Sequence, residues 1–219
     1  METIIICGTK KNSLSKTFKT FLKEIGFIVR LFSRYATPAK SGGVFTLDLS
    51  NPNTFNNALP VHNINAVIFS QDSGTAFGNF DTLTYKQIDQ FLNSKIHGSV
   101  LFSHFLLKKL KTVKQKKIKL IWICGTSGLK PKNYILYHVV NASIKSFIEE
   151  LNIHYFDFVE AYYLVTPFID KTTIGILYNR TLNKKEYGEN PEILLSYLEE
   201  VLNNKIKPGM VIINSSFVK

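Results

Sequence analysis

Short apolar runs and amphipathic stretches alternate along the whole chain, and this alternation constrains the fold more than any other feature. The first run, Thr3–Cys7, contains three consecutive isoleucines, as expected for a strand buried on both faces. The next stretch, Ser13–Ile25, has apolar residues at helical spacing and is followed by Gly26, a residue type that commonly ends helices. A strand, a helix and another strand in this order typically form a right-handed crossover in a parallel sheet.

The same pattern continues through the rest of the chain and predicts seven strands and five helices. The predicted strands are Thr3–Cys7, Phe27–Phe32, Val44–Asp48, Ala66–Phe69, Leu120–Ile123, Tyr155–Val159 and Val211–Asn214. The predicted helices are Ser13–Ile25, Pro52–Leu59, Thr84–Leu110, Tyr134–Leu151 and Pro191–Asn203, the third being one long helix or a helix pair in which Gly98 allows close packing. We therefore expect one α/β domain over residues 1–219, with a doubly wound, mostly parallel seven-stranded sheet and helices on both faces, the Rossmann-type three-layer α/β/α arrangement.

The composition is that of an ordinary globular protein, with 45% hydrophobic and 20% charged residues in 219. No apolar run is long enough to span a membrane, and the beginning of the sequence indicates a first strand and not a signal peptide. Cys7 and Cys124 both close predicted strands, which favours reduced thiols and a cytoplasmic location. The histidines show no ligand spacing, so no metal site is expected.

The net charge of +11 comes from 24 lysines and only 3 arginines, and the segment Lys108–Lys119 holds seven of the lysines. Such a run could bind nucleic acid or an anionic membrane surface. More commonly it solvates a helix end and the following loop. Because nucleic-acid sites favour arginine and interleaved aromatic residues, which this run lacks, we expect a solvated surface with no membrane or nucleic-acid partner.

The segment Ile121–Leu151 contains an apolar strand, a small-residue turn at Cys124–Gly128 and a helix that carries Tyr137 and, four residues later, Asn141. This order resembles the catalytic segment of the short-chain dehydrogenase/reductase family, where a strand ends in serines and a helix carries a tyrosine with a lysine four residues later. The resemblance extends over nearly the whole chain. It implies a Rossmann-type fold, a dinucleotide cofactor and oxidoreductase chemistry.

In that family the tyrosine transfers the proton, the lysine lowers its pKa and holds the cofactor ribose, and the serine holds the substrate carbonyl. Tyr137 matches the tyrosine. Asn141 occupies the lysine position and can form hydrogen bonds, but it supplies no charge. The serine position falls on Cys124 by its spacing from Tyr137, or on Gly125 when the turn is matched by Gly128.

Other hydroxyl groups leave alternatives open at this turn and helix. Thr126 or Ser127 could supply the missing hydroxyl if the turn is shifted. Tyr134, with His138 four residues later, could replace Tyr137 as proton donor.

Lys95 stands three residues before Gly98, where relatives often place an active-site asparagine. The lysine and asparagine positions of the family therefore look exchanged between Lys95 and Asn141. Either Lys95 supplies the charge from the neighbouring helix, or both positions have changed after catalysis was lost.

The turn after the first strand corresponds to the glycine-rich turn of the family, but its later glycines are replaced. Those glycines let the backbone approach a pyrophosphate at the amino terminus of a helix. The two serines at this place could donate hydrogen bonds to a phosphate, or they could only cap the helix. The candidate residues of this turn are Gly8, Thr9, Ser13, Leu14 and Ser15.

Ser33 and Arg34 follow the second strand, where dinucleotide-binding folds place an acidic residue for NAD or an arginine for the 2′-phosphate of NADP. The arginine favours NADP if a cofactor binds. Asp48 and Leu49 follow the third strand, where the family commonly has an aspartate near the adenine.

Past the sixth predicted strand, Thr166 and Pro167 match a threonine–proline pair of the family, while Ala161 and Tyr162 replace its proline–glycine turn. A tyrosine in that turn could fill part of the nicotinamide site.

Taken together, the altered glycines, serine, lysine and proline–glycine pair predict a divergent member with weak or lost oxidoreductase activity that acts through ligand or protein binding. The alternative is an active NADP-dependent reductase of a small carbonyl compound, with Tyr137 as proton donor. Because many relatives form dimers or tetramers, the resemblance also implies a homo-oligomer.

Overall fold

A computed structural model describes residues 2–8, 14–33, 44–55, 63–70, 80–113, 117–125, 135–166 and 191–213. Its strands are β1 (Thr3–Cys7), β2 (Ile28–Ser33), β3 (Val44–Thr46), β4 (Ile64–Phe69), β5 (Ile118–Gly125), β6 (Val159–Thr166) and β7 (Gly209–Ile212). Its α-helices are α1 (Leu14–Glu24), α2 (Tyr85–Leu92), α3 (Gly98–Val113), α4 (Ile135–His154) and α5 (Pro191–Leu202). Short 3₁₀ turns lie at Pro52–Thr54 and Phe80–Thr82, and a π-helical segment, Asn93–His97, joins α2 to α3.

The strands form one sheet in the order β3-β2-β1-β4-β5-β6-β7. Neighbouring strands pair in parallel throughout the described residues, so the expected doubly wound sheet is confirmed. The chain order reverses between β1 and β4. In open α/β sheets the crevice at such a reversal, outside the carboxyl ends of the strands, is where ligands bind.

Helices cover both faces of the sheet, which gives the three layers that the sequence predicts. On one face, α2, α3 and α4 pack over a core that includes Phe91, Phe102 and Ile144. On the other face, α1 and α5 pack over a core that includes Phe18 and Leu198. Every residue of the central strand β1 is buried, because it has helices on both sides.

The sixth strand lies later in the chain than the sequence pattern predicts, so the prediction of a strand at Tyr155–Val159 is wrong. Tyr155 continues the end of α4 by donating its backbone N–H to Leu151 O at 2.9 Å, and Phe158 N–H donates to Tyr155 O at 2.9 Å in the turn that follows. The sequence of this turn resembles that of a strand because its aromatic residues are partly buried against the core. Lys111 Nζ lies 5.3 Å from the ring centroid of both Tyr155 and Phe158.

Ala161 and Tyr162 therefore lie inside β6, and their assignment to a proline–glycine turn is wrong. Tyr162 is buried in the α1/α5 core. Its hydroxyl contacts Glu160 Oε2 at 3.2 Å and Ile206 O at 3.4 Å, near the amino-terminal end of the strand. The expectation that this tyrosine fills part of a nicotinamide site is wrong for the same reason.

The start of β6 is held by a side-chain clamp from α4. Asn152 Nδ2–H donates to Ala161 O at 2.9 Å, and Ala161 N–H donates to Asn152 Oδ1 at 2.8 Å. Since β7 pairs with β6 only from Tyr162 onward, this amide satisfies backbone groups that would otherwise lack a partner strand.

The long helix or helix pair predicted over Thr84–Leu110 is a pair, α2 and α3, joined by the π-helical segment. The helix expected at Pro52–Leu59 is a 3₁₀ turn over Pro52–Thr54, with residues 56–59 outside the described part. The amide of Gly98 donates to Asn93 O, five residues back, which defines the π-helical turn. Such turns occur often at functional sites.

Candidate functional site

The first glycine after β1 adopts a conformation that only glycine accepts easily. Gly8 has a φ of 100°, and its N–H donates to Phe32 O at 3.1 Å. The chain therefore turns out of the sheet directly after β1, where the strand order reverses. Thr9 and Ser13 lie outside the described residues. Leu14 begins α1 and Ser15 is fully buried, so the Ser15 hydroxyl lies inside the protein in this structure.

The carboxyl ends of β2 and β3 carry the next candidate residues. Ser33 ends β2, and Arg34 is outside the described part. Asp48 Oδ1 accepts hydrogen bonds from Ser50 N–H at 3.0 Å and from Ser50 Oγ–H at 2.6 Å. This carboxylate therefore stabilises the turn at Asp48–Ser50, directly after β3.

Leu49 joins that loop to the helix layer. A Cβ atom added to Gly98 would lie 2.7 Å from Leu49 Cβ and 3.0 Å from Leu49 C and O. No side chain fits there without a shift of the backbone, so Gly98 allows α3 to contact the end of β3. This contact fixes the start of α3, directly after the π-helical segment that carries Lys95.

Lys95 is held by a local hydrogen-bond arrangement at this junction. Ser99 Oγ–H contacts the carbonyl oxygens of Lys95, at 2.5 Å, and of Ile96, at 3.1 Å. A hydroxyl that bonds to the carbonyl groups of the preceding turn ties Ser99 of α3 to the π-helical segment.

The positive charge of Lys95 acts on Cys124 at the end of β5. Cys124 is half-buried, and burial raises the pKa of its thiol to about 12, although the charge of Lys95 acts in the opposite direction. Near neutral pH Cys124 is therefore an uncharged thiol. It can donate a weak hydrogen bond, as a serine could do more strongly, but it is not an activated nucleophile.

Tyr137 and Asn141 lie on one face of α4. The ring of Tyr137 meets Phe91 of α2 edge to face, with centroids 4.7 Å apart, and its hydroxyl oxygen is shielded from solvent. Asn141 is 5% exposed, and its Nδ2–H donates to Gly125 O at 3.3 Å. Asn141 thus ties α4 to the end of β5.

Thr166 completes this end of the sheet. It pairs with Gly125, and its Oγ1–H donates to Cys124 O at 3.3 Å. A Cβ added to Gly125 would meet nothing within 4 Å, so the backbone there has room for a side chain. Thr126 and Ser127 lie outside the described residues.

Tyr163 also lies at this end of the sheet, and no motif in the sequence points to it. Tyr163 lies on β6 and faces the same side of the sheet as Cys124, and its hydroxyl interacts with the Cys124 thiol. Burial raises the pKa of the Tyr163 hydroxyl, so this group is uncharged near neutral pH. A strand that ends at Thr166 puts Tyr163 near the carboxyl end of β6, and this position is the sequence signal for it.

The site so assembled consists of neutral donors and one lysine. Within the described residues, no group of three histidine, cysteine, aspartate or glutamate side chains could hold a metal ion. None of the described helices is long and apolar enough to cross a membrane.

No family model and no curated protein matches the sequence. Solved structures do match. A 3-oxoacyl-(acyl-carrier protein) reductase from Brucella melitensis in complex with NAD has a TM-score of 0.80 at 13% identity, covering 98% of this chain and 96% of that one. A gluconate 5-dehydrogenase from Burkholderia cenocepacia in complex with NADP and tartrate has a TM-score of 0.79 at 11% identity, covering 98% and 94%.

A short-chain dehydrogenase from Sphingobium yanoikuyae in complex with NADPH has a TM-score of 0.76 at 13% identity, covering 97% of this chain and 87% of that one. The chain therefore has the fold of the short-chain dehydrogenases, as the resemblance in the sequence predicts. At 11–13% identity these structures show the fold alone.

Proposed function

We propose that this chain is a divergent protein of short-chain dehydrogenase fold whose oxidoreductase activity is weak or lost, and that it acts by binding a ligand or a protein partner. The observation that carries this proposal is the position of Asn141. Its amide is buried and bonded to Gly125 O. A neutral amide at this place supplies no positive charge beside Tyr137, which is what the family's lysine contributes to proton transfer.

The state of Cys124 supports the same conclusion. Burial raises the pKa of its thiol to about 12, which leaves a weak, uncharged donor where relatives use a serine hydroxyl. Two of the three family roles around Tyr137 are therefore filled by groups that perform them less well.

The ligand we propose for the carboxyl edge of the sheet is a dinucleotide, with NADP favoured. Gly8 supports this proposal, since its positive φ opens the turn after β1 at the point where the sheet order reverses. Two solved structures of similar fold contain a bound cofactor of this kind, one NADPH and the other NADP. Asp48 fits less well, because its carboxylate is occupied by Ser50.

Titration with NADPH and NADH, followed by protein fluorescence and by thermal shift, tests this part of the proposal. Saturable binding with tighter NADPH affinity is the expected result. A matched variant, Gly8→Val, should lose that binding, since a β-branched residue is strained at positive φ. An absence of binding to either dinucleotide at millimolar concentration would exclude a cofactor role and leave protein contacts as the remaining proposal.

A second candidate function is an active NADP-dependent reductase of a small carbonyl compound. The electrostatic effect of Lys95 on Cys124 favours it, because a positive charge from a different helix then acts at the end of β5. Bound NADPH would supply the hydride. Tyr137 would then donate the proton, with Lys95 as the electrostatic helper and Thr126 or Ser127 positioning the substrate.

Homo-oligomerisation is also part of the proposal. Ile135 and Val139 of α4 are 52% and 45% exposed, which fits a second copy packing on this helix. Analytical ultracentrifugation measures the oligomeric state directly.

The lysine run at 108–119 is proposed to have no nucleic-acid partner. Lys119 is buried beside Glu160 at 3.9 Å, and Lys117 lies 3.6 Å from the same carboxylate. These contacts support a structural role for these two lysines and not a nucleic-acid site.

A further inference from the structure

A buried hydroxyl next to Cys124 has no hydrogen-bond partner within the part of the chain that the structure describes. It belongs to Tyr163, which is fully buried on β6. Buried polar groups are almost always hydrogen-bonded, because an unpaired one has lost its water without gaining a replacement. An unpaired group of this kind therefore calls for a ligand, a bound water or a catalytic role.

The register of the sheet places this hydroxyl near the end of β5. Cys124 pairs with Val165, and Trp122 pairs with Tyr163, so Cys124 and Tyr163 are diagonal neighbours. Their side chains lie on the face that α3 and α4 cover. The Tyr163 hydroxyl and the Cys124 thiol interact, but not in a geometry that satisfies the hydroxyl as a full hydrogen bond.

Both groups are neutral hydrogen-bond donors near neutral pH. Burial raises the pKa of the Tyr163 hydroxyl and of the Cys124 thiol, so neither becomes an anion under ordinary conditions. Water is excluded from the hydroxyl, so a hydrogen bond made to a ligand there would not compete with solvent. An uncharged acceptor oxygen matches such a pair.

We propose that Tyr163 is a ligand-binding residue, whose hydroxyl acts with the Cys124 thiol to receive an uncharged acceptor oxygen of the ligand at the end of β5. This inference rests on the proposed ligand-binding function of the same edge of the sheet. It assigns to β6 the hydroxyl that the serine position on β5 lacks.

The variant Tyr163→Phe tests the proposal, because it keeps the ring and removes only the hydroxyl. The matched control is Tyr162→Phe, the adjacent buried tyrosine, whose hydroxyl contacts Glu160 and Ile206 on the opposite face. The probe is cyclohexanone, labelled with ¹³C at the carbonyl, added to the full chain in saturating NADP⁺ so that no reduction occurs. Three quantities are measured: the melting temperature without ligands, the affinities for NADP⁺ and cyclohexanone, and the infrared carbonyl stretch of the bound probe.

We expect Tyr163→Phe to melt at the same temperature as the wild type or higher, because it removes an unpaired buried hydroxyl. Its affinity for cyclohexanone should fall about tenfold, the effect of about one lost hydrogen bond, while its affinity for NADP⁺ stays unchanged. The carbonyl stretch should move to higher frequency than in the wild type. Tyr162→Phe should melt lower and bind the probe normally, and Cys124→Ser, which keeps a donor, should also retain the probe.

The proposal is overturned if Tyr163→Phe binds cyclohexanone as the wild type does, or if it loses as much thermal stability as Tyr162→Phe with no change in the carbonyl stretch. It is also overturned if the wild type binds NADP⁺ but no cyclohexanone, a result that leaves the proposed dinucleotide binding intact. If the wild type binds neither compound, the proposed ligand binding fails together with this inference.

Discussion

Asn141 and Gly125 are joined by a hydrogen bond of 3.3 Å from the side-chain amide of α4 to the carbonyl oxygen at the end of β5. This bond fixes the side chain that lies four residues after Tyr137 on α4, where the resemblance to the short-chain dehydrogenases implies a lysine. The substitutions proposed below test whether these two positions control activity.

The double substitution Asn141→Lys with Cys124→Ser should raise reductase activity. The lysine restores a positive charge one helical turn from Tyr137, and the serine restores a strong hydroxyl donor. We expect NADPH-dependent reduction of small ketones and aldehydes to increase by about a hundredfold, the lower range for general acid–base catalysis. The measurement is NADPH absorbance under steady-state conditions. Adding Tyr137→Phe to the double variant should remove the gain, and a folded, NADPH-binding double variant with no gain would contradict this account.

Gly98→Ala should destabilise the protein even though alanine is the better helix former. In an open helix the exchange would stabilise by about 1 kcal/mol. Here the new methyl group would lie 2.7 Å from Leu49 Cβ and 3.0 Å from Leu49 backbone atoms. We expect a net loss of about 1–3 kcal/mol in the free energy of unfolding, measured by urea denaturation. Gly125→Ala, where nothing lies within 4 Å, is the control and should change stability little. An increase in stability for Gly98→Ala would show that the contact is loose.

Asn152→Ala should weaken the attachment of α4 to β6. Both hydrogen bonds to Ala161 disappear, at 2.9 and 2.8 Å, and two backbone groups lose their partner. The expected loss is about 1–3 kcal/mol by urea denaturation. Ser143→Ala, which removes only an exposed bond to Val139 O on the same helix, should cost less than about 0.5 kcal/mol. Equal effects of the two substitutions would argue against the clamp.

Cys124 should react slowly with iodoacetamide in the native protein. A pKa of about 12 instead of the ordinary 9.0 lowers the thiolate fraction at about pH 8 by about a thousandfold. The rate should rise as the pH increases above the ordinary value toward the raised one, since the thiolate forms only in that range. Cys7→Ser provides a background in which mass spectrometry follows Cys124 alone, and Lys95→Met should slow the reaction further by removing the nearby positive charge. Rapid alkylation in the native state at neutral pH would contradict the buried, neutral thiol.

The same raised pKa links stability to pH. The folded protein holds the Cys124 proton more tightly than the unfolded chain does, so stability from this group is complete below pH 9.0 and is lost as the pH rises toward about 12. Unfolding by urea across this range should show a smaller decline for Cys124→Ala than for the wild type.

The layers and the strand order follow from features that the sequence displays directly. Isoleucine-rich runs such as Thr3–Cys7 indicate buried strands, and the alternation with amphipathic helices favours parallel crossovers. The sequence pattern predicts the sixth strand too early in the chain. Tyr155 and Phe158 are aromatic, as strand residues often are, but they lie in a turn where their rings contact Lys111. With the strand placed there, Tyr163 falls outside it.

The contacts within the site depend on tertiary packing that a sequence pattern does not display. Lys95 lies on the π-helical turn, next to the close packing of Gly98 on Leu49. A π-helical turn has no residue signature of its own, since it is a change of hydrogen-bond partner. The sequence predicts that Asn141 and Tyr137 share a helix face, but not that the amide of Asn141 reaches the Gly125 carbonyl.

Steady-state reduction assays on wild-type protein that binds NADPH show whether catalysis at Tyr137 is weak or lost while ligand binding persists. Wild type and Tyr137→Phe are compared with a panel of small ketones and aldehydes. We expect turnover at least about a hundredfold below the ~1 s⁻¹ typical of slow enzymes, and nearly the same in both proteins. Turnover of about 1 s⁻¹ or faster in the wild type, abolished by Tyr137→Phe, would contradict this expectation and would establish the reductase.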